Sequence, residues 1–256
     1  MEIKILGAHS NESKTSKCIS FLIDNVLAID AGGLTSSLSL KEQRKLKSIL
    51  LTHDHFDHIK DIPLLALNFY RMKKRIRIYS RPEVFSTIKE HLLNGQVYPE
   101  LQEIPLEEPT VNFSPIVPFR KHKIGKYIVT AIPVNHHVNT IGYRVRDDTG
   151  KTFFYTADTG PGLYDCWKNL SCELLFIETT LPNSYEDYAR KTGHLTPNLL
   201  FAELTMLQEL QGGLPRIVVV HNDPLLKNKL KREIAEVAKS LNTPITIATE
   251  GIRFRL

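Results

Sequence analysis

Three histidines and two aspartates lie within six consecutive positions, in the order His53-Asp54-His55-Phe56-Asp57-His58. Imidazole is the commonest protein ligand of borderline metal ions, and carboxylate oxygen is its usual harder partner. In an extended loop, residues two apart point the same way, so His53 and His55 are expected to share one side. Asp57 and His58 are adjacent, and their side chains diverge. The stretch therefore predicts one short loop that serves two metal ions.

The elements around this stretch make the pattern more specific. It follows an apolar run, residues 49–51, which predicts a buried strand, and it leads into a helical pattern. A solvated polar turn that is rich in histidine is the alternative interpretation. The spacing His-x-His-x-Asp-His at such a junction resembles the metallo-β-lactamase superfamily of metallohydrolases. Because that family takes its remaining ligands from distant positions, the rest of the chain tests the resemblance.

A further histidine pair, His136-His137, lies before the strand pattern at residues 140–145. His136 precedes Gly142 by six residues, and this offset resembles the third metal motif of the family. The resemblance selects His136 as a ligand. The neighbouring His137 points the other way and is expected to face substrate or solvent.

Three other polar residues follow predicted strands. Asp158 comes after residues 152–156 and resembles the family's bridging aspartate, although a turn or cap residue is the alternative. His221 directly follows residues 216–220 and resembles the last ligand of the family. Asp30 opens a turn that lies beside the metal site in the family, so it either supports that site or forms an ordinary turn.

The resemblance implies a complete set of ligands for two ions. One metal is held by His53, His55 and His136, the other by Asp57, His58 and His221, and Asp158 bridges them. Nitrogen and oxygen donors without thiolate suit two divalent ions, with Zn²⁺ expected and Mn²⁺ or Fe as alternatives. Such ions lie roughly 3.5–4 Å apart and activate a hydroxide as the nucleophile. Asp57 is expected to be both a ligand and a proton acceptor.

One more motif narrows the chemistry. Gly193-His194-Leu195 opens a helical pattern, and Glu178 lies at the end of an earlier strand pattern. This pair resembles the phosphodiesterase branch of the superfamily, which includes tRNA 3′-processing endonucleases and class II cyclic-nucleotide phosphodiesterases. The resemblance implies that His194 stabilises the charged phosphorane oxygen and protonates the leaving oxygen, and that Glu178 orients it. The alternative for His194 is a helix-start residue without a catalytic role.

These motifs together predict a dinuclear metal-dependent hydrolase that cleaves phosphodiester bonds by a metal-activated hydroxide. The segments between His136 and Asp158, and between Asp158 and His194, are too short for a large tRNA-gripping arm. A cyclic nucleotide or another small phosphodiester is therefore the expected substrate. The alternatives are an RNA endonuclease of the tRNA 3′-processing type, a thioester or lactone hydrolase, and a metal-stabilised binding protein without catalysis.

The whole chain fits one α/β domain over residues 1–256. Its 256 residues are 42% hydrophobic, enough for a single large core. Strand patterns dominate both ends, and helical patterns at 40–47, 57–71, 82–93, 196–210 and 224–241 alternate with strands between. With the family resemblance, this pattern predicts a four-layer αββα sandwich. Residues 94–123 contain five prolines and are expected to form irregular connections and edge strands.

The net charge and the cysteine content indicate which partners and which cellular location to expect. The formal net charge is +5, and the densest basic segment, residues 71–81, is expected either to contact RNA or to be a helix end leading into a strand. Three cysteines without a pairing pattern suggest reduced thiols and a cytoplasmic location. No apolar run is long enough for a membrane span, so no membrane partner is expected. A homodimer is compatible with the sequence.

Overall fold

The computed structural model describes residues 1–168 and 170–256. The chain divides into two compact units. The first unit comprises Met1–Gly7, Glu12–Val117 and Glu250–Arg255, and the second comprises Ala8–Asn11, Pro118–Thr249 and Leu256. The single domain expected over residues 1–256 stays a prediction.

Within the described residues, each unit contains one seven-stranded sheet. The strands in chain order are β1 (Glu2–Gly7), β2 (Ser20–Ile23), β3 (Leu27–Ile29), β4 (Ser48–Leu50), β5 (Ile76–Ser80), β6 (Val111–Pro115), β7 (Lys121–Ile124), β8 (Tyr127–Pro133), β9 (Ile141–Arg146), β10 (Thr152–Tyr155), β11 (Leu174–Glu178), β12 (Arg216–Val220), β13 (Ile245–Ile247) and β14 (Arg253–Arg255). The helices are α1 (Leu34–Ser37), α2 (Leu40–Gln43), α3 (Phe56–Ile59), α4 (Ile62–Arg71), α5 (Pro82–Thr87), α6 (Tyr164–Lys168), α7 (Glu186–Thr192), α8 (Pro197–Gln211) and α9 (Lys227–Ser240).

The sheet of the first unit has the strand order β14-β1-β2-β3-β4-β5-β6. Strands β3 to β6 run parallel, so the carboxyl ends of β3 and β4 lie side by side. Asp30 follows β3, and the histidine-rich loop follows β4. The hairpin between β2 and β3 turns at Asp24 and Asn25, whose φ angles are +46° and +60°. Short polar side chains tolerate this conformation.

The helical segment predicted over residues 57–71, in which Pro63 was expected to lie near the first turn or to break the helix briefly, is two helices in the structure. Helix α3 ends at Ile59 and α4 begins at Ile62, with Pro63 in the first turn of α4. Proline lacks the N–H that an interior helical position must donate, so it is accommodated at a helix start. The carboxylate of Asp61, between the helices, accepts a hydrogen bond from Thr35 N at 2.7 Å. The apolar face of α4 is buried, with Leu65 and Phe69 in the core.

The sheet of the second unit has the strand order β13-β12-β11-β10-β9-β8-β7. Strands β10 to β13 are parallel, so the carboxyl ends of β10, β11 and β12 line one edge. Asp158 follows β10, Glu178 ends β11, and His221 follows β12. A core that includes Trp167 and Leu204 fixes this edge. Three polar residues that are far apart in sequence are therefore placed on neighbouring strands.

Several other elements differ from the sequence-based expectation. The structure adds α6 and α7, which are too short to give a clear periodic signal. The helix expected over residues 82–93 is α5 followed by a π-helical turn, Ile88–Leu92. In the proline-rich region, β6 and β7 are the outermost strands of their sheets, as predicted. Among the described residues, none of the helices has the length and apolar character needed to cross a bilayer.

Candidate metal centre and active site

The histidine-rich loop of the first unit connects β4 to α3 and forms a compact cluster of rings. The ring centroid of His53 lies 4.7 Å from that of His55 and 4.1 Å from that of His58. His53 and His58 are fully buried, whereas His55 and Asp57 are partly exposed. The first unit thus gathers its four proposed ligands within six consecutive residues, with His53 and His55 in the loop and Asp57 and His58 in α3.

Asp30 anchors this loop. Its carboxylate accepts hydrogen bonds from the Thr52 backbone N–H at 2.9 Å and from the Thr52 hydroxyl at 3.0 Å. Its Oδ2 also lies 2.8 Å from His58 Nδ1. The Thr52 hydroxyl in turn lies 3.0 Å from His53 Nδ1. Since Thr52 donates its single proton to Asp30, its oxygen accepts from His53.

These bonds place the Nδ1 proton on both buried rings, so Nε2 carries the lone pair. His58 Nε2 lies 3.5 Å from Asp57 Oδ2. Two acceptors that face one another are stable when a cation lies between them. Metal-binding histidines commonly have this arrangement, in which Nδ1 donates to a carboxylate or other oxygen. The donor set of the first unit therefore fits a divalent metal ion.

The second unit gathers the remaining proposed site residues at the edge formed by β10, β11 and β12. His221 Nε2 lies 3.3 Å from Asp158 Oδ2. The ring of His194 stacks on that of His221, with centroids 5.7 Å apart, and lies 5.1 Å from the ring centroid of His136. His137 is exposed, and its ring centroid lies 6.2 Å from that of His136.

The histidines of the second unit are also held by Nδ1. His136 Nδ1 donates to the carbonyl oxygen of Gly193 at 2.7 Å. Gly193 ends α7 with a φ of +72°, and a Cβ there would lie 2.9 Å from His136 Nδ1. Glycine is therefore required by both the backbone conformation and the close approach of the ring. The contact leaves the lone pair of His136 on Nε2, the nitrogen that a metal ligand would use.

Glu178 is the centre of this cluster. It is fully buried and lies 2.7 Å from His194 Nδ1 through Oε1. Oε1 also accepts from Thr159 N, while Oε2 accepts from Leu195 N and from both the backbone N–H and the hydroxyl of Thr180. With five donors around it, the carboxylate acts only as an acceptor. Glu178 therefore fixes His194 with the proton on Nδ1.

Thr52, Thr159 and Thr180 are site-supporting residues that sequence reasoning missed. Thr52 donates its hydroxyl proton to Asp30, whereas Glu178 accepts from the backbone N–H of Thr159 and from the hydroxyl of Thr180. Thr180 Oγ1 also lies 2.9 Å from His221 Nδ1. The only sequence signal is their position beside the predicted ligands and carboxylates. Threonine is so common at strand ends that this signal is weak.

The three cysteines are thiols at neutral pH. Burial raises the pKa of Cys18 to about 11, with the nearby Asp57 charge adding to the effect. Burial also raises the pKa values of Cys166 and Cys172 to about 12. The raised pKa makes the Cys18 thiol a poor nucleophile at neutral pH.

Residues 20–221 match the model of the family described as the beta-lactamase superfamily domain, and the chain belongs to that family. A sequence named "Probable 3',5'-cyclic-nucleotide phosphodiesterase" from Yersinia pestis is 22% identical over 71% of this chain and 58% of its own length. A second, named "3',5'-cyclic-nucleotide phosphodiesterase" from Aliivibrio fischeri, is 23% identical over 83% of this chain and 79% of its own length. The chain thus spans less than two thirds of the Yersinia relative.

Solved structures confirm the metallo-β-lactamase fold that the sequence predicted. Unliganded yeast PDE1 superposes with a TM-score of 0.83 at 18% identity, covering 100% of this chain and 99% of that one. The short form of human tRNase Z superposes with a TM-score of 0.71 at 17% identity, again covering 100% and 99%. At these identities, the similarity establishes the fold alone.

Proposed function

We propose that this chain is a metal-dependent phosphodiesterase that hydrolyses a 3′,5′-cyclic nucleotide or another small phosphodiester. One observation carries the proposal: His194 is held by the buried Glu178 while its ring stacks on that of the metal-ligand candidate His221. Hydrolysis of a phosphodiester needs a group that stabilises charge on oxygen and protonates the leaving oxygen. The names of the two bacterial relatives support the same chemistry.

The side chains present fit two divalent metal ions. The proposed ligands are His53, His55 and His136 for one ion, Asp57, His58 and His221 for the other, and Asp158 as the bridge. Support comes from family membership and from the geometry within each unit, where Asp57 with His58, and Asp158 with His221, offer ligand atoms within 4.8 Å of one another. When bound, the ions supply Lewis-acid chemistry and activate water. Zn²⁺ is the metal we propose, with Mn²⁺ and Fe as alternatives.

The protein groups perform three further tasks in this proposal. Glu178 orients the His194 ring and balances its charge when the ring is protonated. The protonated ring donates from Nε2 to an oxygen of the phosphodiester and passes that proton to the leaving oxygen. Asp57, which is partly exposed beside the buried His58, accepts the proton released by the attacking water.

The test is hydrolysis of bis(p-nitrophenyl) phosphate by purified protein reconstituted with Zn²⁺ or Mn²⁺. We expect turnover of this compound that disappears when a chelator is added. In a second assay, on a panel of cyclic nucleotides, we expect hydrolysis of one member. His194→Ala should keep the metals and lose most turnover. His91→Ala is the matched control, because His91 is an exposed histidine on the π-helical turn and is not part of the site. Normal turnover by His194→Ala would refute the role assigned to His194.

RNA is the second substrate class, favoured by the basic segment. Residues 71–75 include four exposed cations at the end of α4, one of which, Arg75, pairs with Glu108 at 2.9 Å. A gel assay on structured RNA over a range of salt concentrations separates the two classes, because phosphate contacts weaken steeply with salt. Activity on thioesters or lactones alone would instead favour the alternative of a thioester or lactone hydrolase. A cytoplasmic location and a homodimer remain predictions.

A further inference from the structure

The two units contain the same arrangement of four side chains. In the first, Asp30 contacts His58 directly and reaches His53 through the Thr52 hydroxyl. In the second, Glu178 contacts His194 directly and reaches His221 through the Thr180 hydroxyl. Each unit therefore has one buried carboxylate that fixes two imidazoles, one of them through a threonine.

We propose that Thr180 is a positioning residue that connects His221 to Glu178, so that one buried carboxylate orients both a metal ligand and His194. The inference rests on the proposed function in one respect, since it takes His221 to be a metal ligand. It assigns to Thr180 a role in metal binding, and it predicts that metal binding by His221 and the action of His194 both depend on Glu178.

The directions of the hydrogen bonds carry this inference. Glu178 accepts at both oxygens, so the Thr180 hydroxyl uses its single proton on Oε2 at 2.9 Å. Its oxygen is then an acceptor, and the proton between Thr180 and His221 must come from His221 Nδ1. The lone pair of the ring is consequently on Nε2, which lies 3.3 Å from Asp158 Oδ2. That is the tautomer a metal ligand needs at this position.

Thr180 itself has little freedom to adopt another arrangement. It is buried, and its backbone N–H lies 3.0 Å from Glu178 Oε2 and 3.1 Å from the carbonyl oxygen of Leu195. Because water has little access, no solvent molecule readily replaces the hydroxyl as a partner of His221. The hydroxyl also lies 3.4 Å from His194 Nδ1, whose shorter contact is to Glu178.

Thr180→Val separates the two functions of Glu178. Valine keeps the branched shape but offers no acceptor to His221, while the contact between Glu178 and His194 remains. We expect affinity for one of the two metal equivalents to fall about 10- to 100-fold, which is the usual effect of losing such a partner of a metal ligand. Thr180→Ser keeps the hydroxyl and should restore most of the affinity.

The experiment measures metal binding by the full chain in competition with a chromophoric chelator, using Zn²⁺ alone. Thr179→Val is the matched control, because Thr179 is the adjacent buried threonine and its hydroxyl donates to the backbone carbonyl of Glu178 at 2.7 Å. We expect wild-type affinity in Thr179→Val, most of that affinity in Thr180→Ser, and the loss of about 10- to 100-fold only in Thr180→Val. Equal losses in all three variants would overturn the inference, as would wild-type affinity in Thr180→Val.

A second readout needs no folded valine variant. Ring ¹⁵N chemical shifts of the zinc-loaded wild-type protein report which nitrogen of His221 is protonated, with the signal assigned by comparison with His221→Asn. A protonated Nδ1 supports the inference, and a protonated Nε2 overturns it. Neither measurement depends on turnover, so a protein that binds zinc in this way but hydrolyses no phosphodiester refutes the proposed function and leaves the role of Thr180 intact.

Discussion

Glu178→Gln tests the centre of the second cluster. Oε1 of Glu178 accepts from two donors, Thr159 N at 3.1 Å and His194 Nδ1 at 2.7 Å. Oε2 accepts from three, the N–H and hydroxyl of Thr180 and the N–H of Leu195 at 3.2 Å. Glutamine has nearly the same shape but replaces one accepting oxygen with a donating NH₂ group. The NH₂ group must therefore face donors in either orientation.

The size of the effect on stability depends on which of the two orientations of the glutamine amide costs less free energy. With NH₂ in the Oε2 position, two backbone N–H groups oppose it and cannot adapt. With NH₂ in the Oε1 position, only Thr159 N is fixed, because His194 can move its proton to Nε2 and accept at Nδ1. Losing hydrogen bonds to a charged group costs about 1.5–3 kcal/mol each, so we expect the free energy of unfolding to fall by about 2–4 kcal/mol.

The same rearrangement disables His194, since its Nδ1 is then no longer the donor to residue 178. We expect kcat on bis(p-nitrophenyl) phosphate to fall about 10²- to 10⁴-fold, the usual contribution of a general acid. Urea unfolding and steady-state kinetics measure the two effects on one preparation. Glu236→Gln is the control, because Glu236 is an exposed residue on α9. This substitution should alter the free energy of unfolding by less than about 0.5 kcal/mol. An unchanged urea midpoint and an unchanged kcat in Glu178→Gln would refute this reasoning.

Four further predictions test other parts of the structure. His194→Ala should bind two equivalents of zinc, measured by elemental analysis, and lose about 10²- to 10⁴-fold in kcat; loss of metal would contradict its assignment as a non-ligand. Asp30→Asn should weaken zinc binding about 10- to 100-fold in a chelator competition, because His58 Nδ1 loses its carboxylate partner; unchanged affinity would remove Asp30 from the site. Trp167→Phe should lower the free energy of unfolding in urea by about 1–3 kcal/mol, since Nε1 donates to Glu203 at 2.7 Å in the core; a change below about 0.5 kcal/mol would show that this bond does not matter. Burial raises the pKa of Cys18 to about 11, so its thiolate fraction, and hence alkylation of the native protein, should rise with pH up to that value; rapid alkylation of Cys18 at pH 7 would contradict its burial.

The ligand candidates were accessible from sequence because of where parallel strands end. Asp158 and His221 each follow a strongly apolar strand, and the carboxyl ends of parallel strands share an edge. The predicted fold is confirmed by the family match and by the superposition on yeast PDE1. It could be predicted because apolar strand patterns dominate the sequence. The ligand roles themselves stay predictions.

Other features depend on tertiary structure and gave little sequence signal. The break between α3 and α4 interrupts an apolar period that continues across it, so periodicity alone predicts one helix. Helix α7 has seven residues and its role is visible only once Gly193 accepts from His136. Thr52 and Thr180 matter because of the two buried carboxylates that they meet. Thr52 meets Asp30, which is 22 residues away in sequence, and Thr180 meets Glu178, which is two residues away. In neither case does the sequence show that the hydroxyl also meets a histidine ring.

The central claim is that two bound metal ions and His194 together hydrolyse a phosphodiester. The most direct measurement is a zinc titration of the metal-free protein, with bis(p-nitrophenyl) phosphate turnover recorded at each addition for wild type and for His194→Ala. The account predicts that wild-type turnover rises to a plateau at two equivalents and is abolished by chelator, while His194→Ala binds the same zinc with little turnover. Wild-type protein that holds two equivalents of zinc and hydrolyses neither this compound, cyclic nucleotides nor RNA would contradict it.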